Sequence, residues 1–240
     1  FKTICMLSLY LAPFILMLTL DLNAWWYILL WAVTGVGMAG VGLSVMHDAN
    51  HGAYSKSPLV NNIIGKVLVL LGGNDANWRI QHNVLHHTYT NVNNMDEDIA
   101  PPPFILRFSP HTKRLKIHRF QHVYAYFFYG LMTMMWFISK DYQQAKRYHE
   151  MDLVKTQGLT IQKHVINIIF NKLLYAFIFL ALPFWLSPAS WYVTLLGFLL
   201  MQFICGFILG IIFQPAHVVP TSTYPLPLSL IHISEPTRLV

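Results

Sequence analysis

Long stretches of uncharged, mostly apolar residues are the feature that most constrains this sequence. Thr3 to Leu20 has 18 residues without a charge, and Leu22 to Met46 and Ala189 to Phe213 have 25 each, against the roughly 20 that a helix needs to cross a bilayer. Val165 to Leu186 reaches a similar length although Lys172 interrupts it. Only 11% of the 240 residues are charged, less than half of the roughly 25% usual in soluble domains. We therefore predict an all-α membrane protein with four transmembrane helices.

The distribution of Lys and Arg predicts how these helices are connected. The segment from His47 to His122 is rich in both residues, whereas the turns at 21–23 and 187–190 contain neither. Because positive residues collect on the cytoplasmic side of membrane proteins, we predict two helical hairpins joined by a histidine-rich cytoplasmic cap. The same rule accounts for the net charge of +6, so no nucleic acid partner is expected.

A fifth apolar stretch, Val123 to Ser139, is predicted to lie along the membrane surface. Basic residues precede it, and the segment from Lys140 to Lys163 that follows is also basic. A single crossing would place two basic segments on opposite sides of the bilayer, against the charge rule. An interfacial helix rich in Tyr, Trp and Phe avoids this conflict.

Both ends of the sequence depart from the pattern between them. The chain opens at Phe1 without an initiator Met, and the portion SLIHISEPTR resembles the peptide obtained by translating a sequencing adapter. We therefore expect one incomplete domain, residues 1–224, followed by a non-native tail, residues 225–240.

Clustered histidines carry the chemistry that the sequence suggests. His47 and His51 lie four residues apart at the end of the second apolar stretch, and a second group, HNVLHH, begins at His82. Residues four apart share one face of a helix, so each group should present its imidazoles together. The candidate metal ligands are His47, His51, His82, His86, His87 and, alone after the last apolar stretch, His217.

A metal explains these groups better than isolated imidazoles do. Clustered imidazoles repel one another when charged and cost desolvation when buried without partners. Zinc takes three or four protein ligands, fewer than the five clustered histidines, and the Glu-x-x-His motif of carboxylate di-iron proteins is absent. The number of ligands fits two metal ions. Iron is favoured because imidazole is a suitable ligand for it. The isolated histidines are expected to make hydrogen bonds to lipid headgroups instead: His111, His118, His122, His149 and His164.

These histidine groups resemble the histidine boxes of membrane fatty acid desaturases. The family's HxxxH or HxxxxH box matches His47 and His51, and its HxxHH or HxxxHH box matches the group from His82 to His87. The words HDANHGAYS, WRIQHNVLHHTYTN, MDEDI and FQPAHVV are similar to those of the linoleoyl-CoA or front-end branch. The resemblance covers residues 1 to 219.

The resemblance implies an enzyme that inserts a double bond into a fatty acyl chain with O₂, at a di-iron centre on the cytoplasmic face. An electron donor of the cytochrome b5 or ferredoxin type would supply electrons, and the acyl carrier would be either CoA or a lipid. Residues that resemble the family's binding site for that carrier are Asn74, Asp75, Trp78 and Arg79. The family's final (H/Q)xxHH box does not follow His217, so six candidate ligands remain for a site that wants about nine, and this fragment is expected to be inactive.

Three other functions fit part of the pattern. HDANH is similar to the HExxH motif of zinc proteases, but Asp48 replaces the general-base Glu and the second histidine group stays unexplained. Lipid and alkane hydroxylases share the all-histidine design and differ in their product. A non-enzymatic membrane receptor or transporter could bind metal through the same residues, although transport favours ionisable residues within the spans, where only Lys172 lies.

Overall fold

The computed structural model describes residues 1–219 and 221–227, and within these ranges the regular secondary structure is entirely helical. Among these described residues, four helices are long and apolar enough to cross a membrane. The predicted fold class is thereby confirmed. We call these helices spans 1 to 4: Lys2–Thr19, Ala24–Asn50, Ile161–Leu186 and Trp191–Ala216.

Shorter helices connect spans 2 and 3. After span 2, Pro58–Gly65 continues as a 3-10 helix, Lys66–Leu71, and the four-residue helix Asp75–Trp78 runs directly into a wide, π-type helix, Arg79–His86. The remaining helices are Glu97–Ile99, Lys116–Phe120, Gln121–Gly130, Met132–Met135, Trp136–Lys140, Asp141–Glu150 and Leu153–Gln157. The stretch predicted to be one interfacial helix is thus interrupted at Leu131, and its place at the membrane surface stays a prediction.

The chain forms two compact units, and each is described here by itself. The span unit comprises Phe1–Ile80 and Tyr126–Ile212. The loop unit comprises Gln81–Ala125 and the described residues from Phe213 onward.

Small residues allow the helices of the span unit to approach closely. A Cβ atom on Gly37 would lie 2.4 Å from the backbone of Leu9 and Tyr10 in span 1, and one on Gly197 would lie 2.0 Å from the ring of Trp31. Close contacts at small residues are a main source of helix association in lipid, where burial of apolar surface contributes little. Span 2 is therefore interlocked with span 1 on one side and with span 4 on another.

Exposed aromatic residues mark the ends of the spans that face away from the basic segments. Trp25 and Trp26 begin span 2, while Trp185 and Trp191 flank the turn between spans 3 and 4, and all four side chains are more than half exposed. Trp is enriched at the level of the lipid headgroups. Exposed tryptophans beside both hairpin turns are typical of an aromatic belt at a membrane surface.

In the loop unit, side chains rather than a large core fix the backbone. The buried carboxylate of Asp96 accepts hydrogen bonds from the backbone N–H groups of Asn91 at 2.8 Å and Asp98 at 2.9 Å. Arg107 donates from Nε to the carbonyl of Thr112 at 2.7 Å. The unit also includes part of the expected tail, since the N–H of Asn93 donates to the carbonyl of Pro225 at 3.1 Å. Residues 228–240 of that tail lie outside the described residues.

Candidate metal centre

The first histidine pair lies at the end of span 2. A π-type turn, Gly42–Met46, widens the helix directly before His47, and the ring centroids of His47 and His51 are 4.5 Å apart. Nδ1 of His47 lies 3.4 Å from Oδ1 of Asp48, whose other oxygen accepts a hydrogen bond of 2.7 Å from Nζ of Lys2. The two imidazoles therefore share one face, as their spacing predicts.

The indole of Trp78 packs edgewise against both imidazoles of this pair. Its ring centroid lies 5.6 Å from that of His47 and 5.5 Å from that of His51. Trp78 ends the short helix that begins at Asp75, and Asn74 caps this helix by accepting a hydrogen bond of 3.1 Å from the N–H of Asn77. The short helix therefore positions the indole that packs against the first histidine pair.

A buried polar network in the span unit holds this short helix. Asn77 donates from Nδ2 to the backbone carbonyl of Asp141 at 2.9 Å and to its Oδ1 at 3.1 Å. The ammonium group of Lys172, in span 3, forms an ion pair with Asp141. It also donates to the carbonyls of Gly72 and, at 2.8 Å, Trp136. All three N–H groups of the ammonium are used, which offsets the cost of burying the charge.

Two isolated histidines differ from their expected contacts with lipid headgroups. His164 is fully buried and donates from Nε2 to Oδ1 of Asn77 at 2.8 Å. His118, in the loop unit, is also buried, and its Nδ1 accepts from the N–H of Leu115 at 3.1 Å. The headgroup prediction is wrong for these two residues, which are buried against protein. The exposed His111 also has a protein partner, since its Nε2 lies 2.8 Å from the carbonyl oxygen of Tyr224.

The second histidine group forms a compact cluster in the loop unit. The imidazoles of His82 and His86 are stacked with centroids 5.2 Å apart, and that of His87 lies 4.8 Å from the first and 5.3 Å from the second. His82 and His86 are buried, whereas His87 is exposed. The wide helix Arg79–His86 therefore brings together all three histidines of the predicted box.

Two carboxylates that the sequence prediction missed support this cluster. Both carboxylate oxygens of Asp96 lie 3.0 Å from Nδ1 of His86, and Oδ2 of Asp98 lies 3.3 Å from Nδ1 of His82. A carboxylate at Nδ1 holds the proton there and directs Nε2 toward a metal. Ligand atoms of His82, His86 and Asp98 also lie within 4.8 Å of one another, so this donor set fits a metal ion. The acidic segment MDEDI was the sequence feature that could have indicated these carboxylates. It does not specify which of its carboxylates contact the histidines.

The carboxylates also change the acid-base behaviour of His86. Burial of the imidazole by itself lowers its pKa, but the hydrogen bond to Asp96 and the charges of Asp98 and Asp96 outweigh this and raise the pKa above its ordinary value. Since a metal binds the unprotonated nitrogen, a raised pKa also means a more basic and stronger ligand.

The four residues predicted to bind the acyl carrier have structural partners within the span unit. Asn74 caps a helix, Trp78 packs on the first histidine pair, and Arg79 forms an ion pair of 2.9 Å with Asp75. The guanidinium also donates to Oδ1 of Asn50 at 3.1 Å. These contacts order the segment, and its binding role stays a prediction.

The helix of span 4 ends at His217, whose side chain lies outside the described residues. The role of His217 as a metal ligand stays a prediction.

Comparison with known proteins identifies the family. The model of the fatty acid desaturase family matches residues 23–235. The chain is 36% identical over 195 residues to an acyl-lipid (8-3)-desaturase of Physcomitrium patens, covering 80% of this chain and 40% of that protein. It is 30% identical over 233 residues to an sn-1 linoleoyl-lipid 6-desaturase of Synechocystis, covering 92% of this chain and 63% of that protein.

A third relative, the sn-1 linoleoyl-lipid 6-desaturase of Arthrospira platensis, is 29% identical over 214 residues, which cover 88% of this chain and 56% of that protein. The chain thus spans about half the length of the curated relatives it matches. No solved structure matches the chain. The family match, which includes both histidine groups, confirms the resemblance seen in the sequence: the chain belongs to the fatty acid desaturase family.

Proposed function

We propose that the intact protein inserts a double bond into a fatty acyl chain, with O₂ as co-substrate, at two iron ions. The proposed ligands are the histidines of both groups together with one after span 4: His47, His51, His82, His86, His87 and His217. The observation that carries the proposal is the cluster in the loop unit, where carboxylates lie at Nδ1 of two adjacent imidazoles. Such an arrangement is typical of metal-ligating histidines.

The chemistry of the reaction defines what must be supplied. Removing two hydrogens from a saturated carbon pair while reducing O₂ to two water molecules requires two further electrons and two protons. An external donor of the cytochrome b5 or ferredoxin type would deliver the electrons. When bound, the iron pair would provide the O₂ chemistry that attacks an unactivated methylene.

The protein's own residues contribute placement. Asp96 and Asp98 orient the imidazoles, and the Lys172–Asp141 network fixes the helix whose Trp78 packs on the first pair. Rigid placement of reacting groups accounts for a large part of enzymatic rate enhancement. The relatives are named acyl-lipid desaturases, which favours a lipid over CoA as the acyl carrier.

Expression of the full-length gene tests the function directly. We expect about two irons per purified protein and new unsaturated acyl chains in the lipids of the expressing cells. Hydroxylated chains would assign the protein to the hydroxylases, and an iron-free protein would contradict the proposal. The 240-residue chain by itself, with six of the roughly nine ligands, is expected to bind fewer than two irons and to form no product.

We also propose that the metal centre lies on the cytoplasmic face. In a background without Cys5 and Cys205, single cysteines at Lys116 and Lys155 should react with an impermeant maleimide from the cytoplasmic side only. A cysteine at Asp21, in the first hairpin turn, should react from the opposite side only. Labelling of the two lysine positions from opposite sides would mean that the stretch from Val123 to Ser139 crosses the bilayer.

A further inference from the structure

A groove of about 500 Å³ lies along span 3 in the span unit. Its first wall is the helix that begins at Pro58 and continues to Leu71, and its second wall is the cytoplasmic half of span 3. The walls carry apolar side chains such as Ile63 and Phe170, which are more than half exposed. The groove is therefore open toward the surroundings of the helices, which for a membrane span is the lipid.

Two amide side chains face this groove from the membrane-spanning helix. Asn167 and Asn171 are one helical turn apart, and both line the groove. Across residues 1–219 and 221–227, neither side chain forms a hydrogen bond with another protein group. An amide without a partner in a lipid environment costs free energy, so these two side chains require a polar group from outside the protein.

The depth of the two amides matches the ester region of a bilayer. Span 3 has 26 residues, which corresponds to about 39 Å of helix, so it exceeds the roughly 30 Å hydrocarbon core. Asn167 lies about 9 Å from the first residue of the span, and Asn171 about 6 Å further. They are thus expected near the boundary between headgroups and acyl chains on the basic side.

The charge of the groove favours an anionic group. Lys66 lines the groove, is exposed, and forms no ion pair within the part of the chain that the structure describes. The carboxylate of Asp75, which also lines the groove, is balanced by Arg79 at 2.9 Å. The unbalanced charge of the groove is therefore the ammonium group of Lys66, whose long side chain can reach a phosphate at the bilayer surface.

We propose that this groove, which we call the lipid groove, binds one glycerophospholipid of the bilayer. Lys66 binds the phosphate, and the amides of Asn167 and Asn171 donate hydrogen bonds to the ester carbonyls. The acyl chains lie against Ile63 and Phe170. A volume of about 500 Å³ accommodates the glycerol backbone, its esters and the first part of the chains.

The lipid groove shares one short helix with the first histidine pair. Asp75, which lines the groove, is the first residue of the four-residue helix whose last residue, Trp78, packs on His47 and His51. A lipid bound there would present its acyl chain to the enzyme laterally, from the bilayer. Only this identification of the bound lipid as the substrate rests on the proposed function; the binding itself does not.

Photo-crosslinking tests the proposal without iron, O₂ or an electron donor. The 240-residue chain is placed in phosphatidylcholine nanodiscs with a trace of phosphatidylcholine that carries a diazirine next to its ester. We expect the label in peptides covering residues 58–75 and 161–174. Replacing both amides (Asn167→Leu with Asn171→Leu) should lower this labelling about tenfold, since two hydrogen bonds are lost, while Asn167→Gln with Asn171→Gln should retain it.

A second arm tests recognition of the phosphate. Lys66→Gln should lower labelling by the phosphatidylcholine probe and leave labelling by a matched diacylglycerol probe unchanged. Leu173→Met, on an exposed face of span 3 outside the groove, serves as the matched control and should label normally. The single amide variants, checked by gel filtration, cover the case in which the double variant fails to fold.

Labelling spread evenly over exposed residues such as Leu196 would show ordinary boundary lipid and would overturn the proposal. Unchanged labelling in both leucine single variants would do the same. Either result would leave the assignment of the histidines untouched, because iron content and product analysis test that separately.

Discussion

Replacing His86 by alanine in the intact enzyme is expected to reduce formation of unsaturated lipid to less than about one-hundredth of the normal rate. His86 is buried, stacks on His82 and holds the carboxylate of Asp96 at 3.0 Å. Loss of a residue that merely orients a metal ligand already costs roughly 10–100-fold, and loss of a residue that we propose as a ligand should cost more. Analysis of acyl chains in expressing cells, together with iron content of the purified protein, measures both effects.

The neighbouring carboxylate and an exposed histidine provide graded controls. Asp96→Asn keeps the shape of the side chain but removes the charge at Nδ1, so we expect a loss of about 10–100-fold with partial retention of iron. His149 is exposed and lies outside both histidine groups, so His149→Ala should leave the rate and the iron content unchanged. Normal activity in the His86 variant would remove the second histidine group from the site.

Replacing Lys172 by methionine is expected to destabilise the span unit by about 3–5 kcal/mol. The substitution keeps the length of the side chain but leaves the carboxylate of Asp141, whose side chain is 0% exposed, without its cation. It also removes the donor from the carbonyls of Gly72 and Trp136. The free energy of unfolding in detergent micelles, obtained by denaturant titration, measures this loss.

A double variant, Lys172→Met with Asp141→Asn, separates two costs: that of an unpaired buried charge and that of losing hydrogen bonds from the network. With Asp141→Asn added to Lys172→Met, neither of the two positions carries a charge. The amide oxygen at position 141 can still accept hydrogen bonds from Nδ2 of Asn77 and Nε1 of Trp136, as the carboxylate does. We therefore expect the double variant to be more stable than the Lys172→Met single variant. Additive losses would mean that the two side chains are not coupled.

The spans were predictable because an apolar run of this length has few alternatives to a membrane helix. Span 1, Lys2–Thr19, is displaced by one residue from the predicted Thr3 to Leu20. Span 2 continues to Asn50, four residues beyond the predicted end at Met46, since the polar word HDAN stays helical after the charge-free run ends. The grouping of the histidines could also be predicted from the sequence, because spacing within one helix determines which side chains lie together.

Partners that are distant in the sequence were not predictable. Lys172 was visible only as a charge that interrupts an apolar run, and its carboxylate partner Asp141 lies 31 residues away. Asn77 and Asp141 are 64 residues apart. Asp96 and Asp98 follow the second histidine group closely, but the turns between them decide which oxygen reaches which imidazole. Such contacts depend on the packing of elements that a single sequence does not specify.

The tight contacts of Gly37 and Gly197 also bear on how the span unit responds to changes in the surrounding lipid. Unsaturated lipid thins and softens a bilayer, and a loosely packed helix would answer by tilting or sliding. Sliding of span 2 past its neighbours would break close contacts, because its backbone abuts span 1 and its Trp31 fits against span 4. The histidine pair at its end is therefore held in place relative to spans 1 and 4.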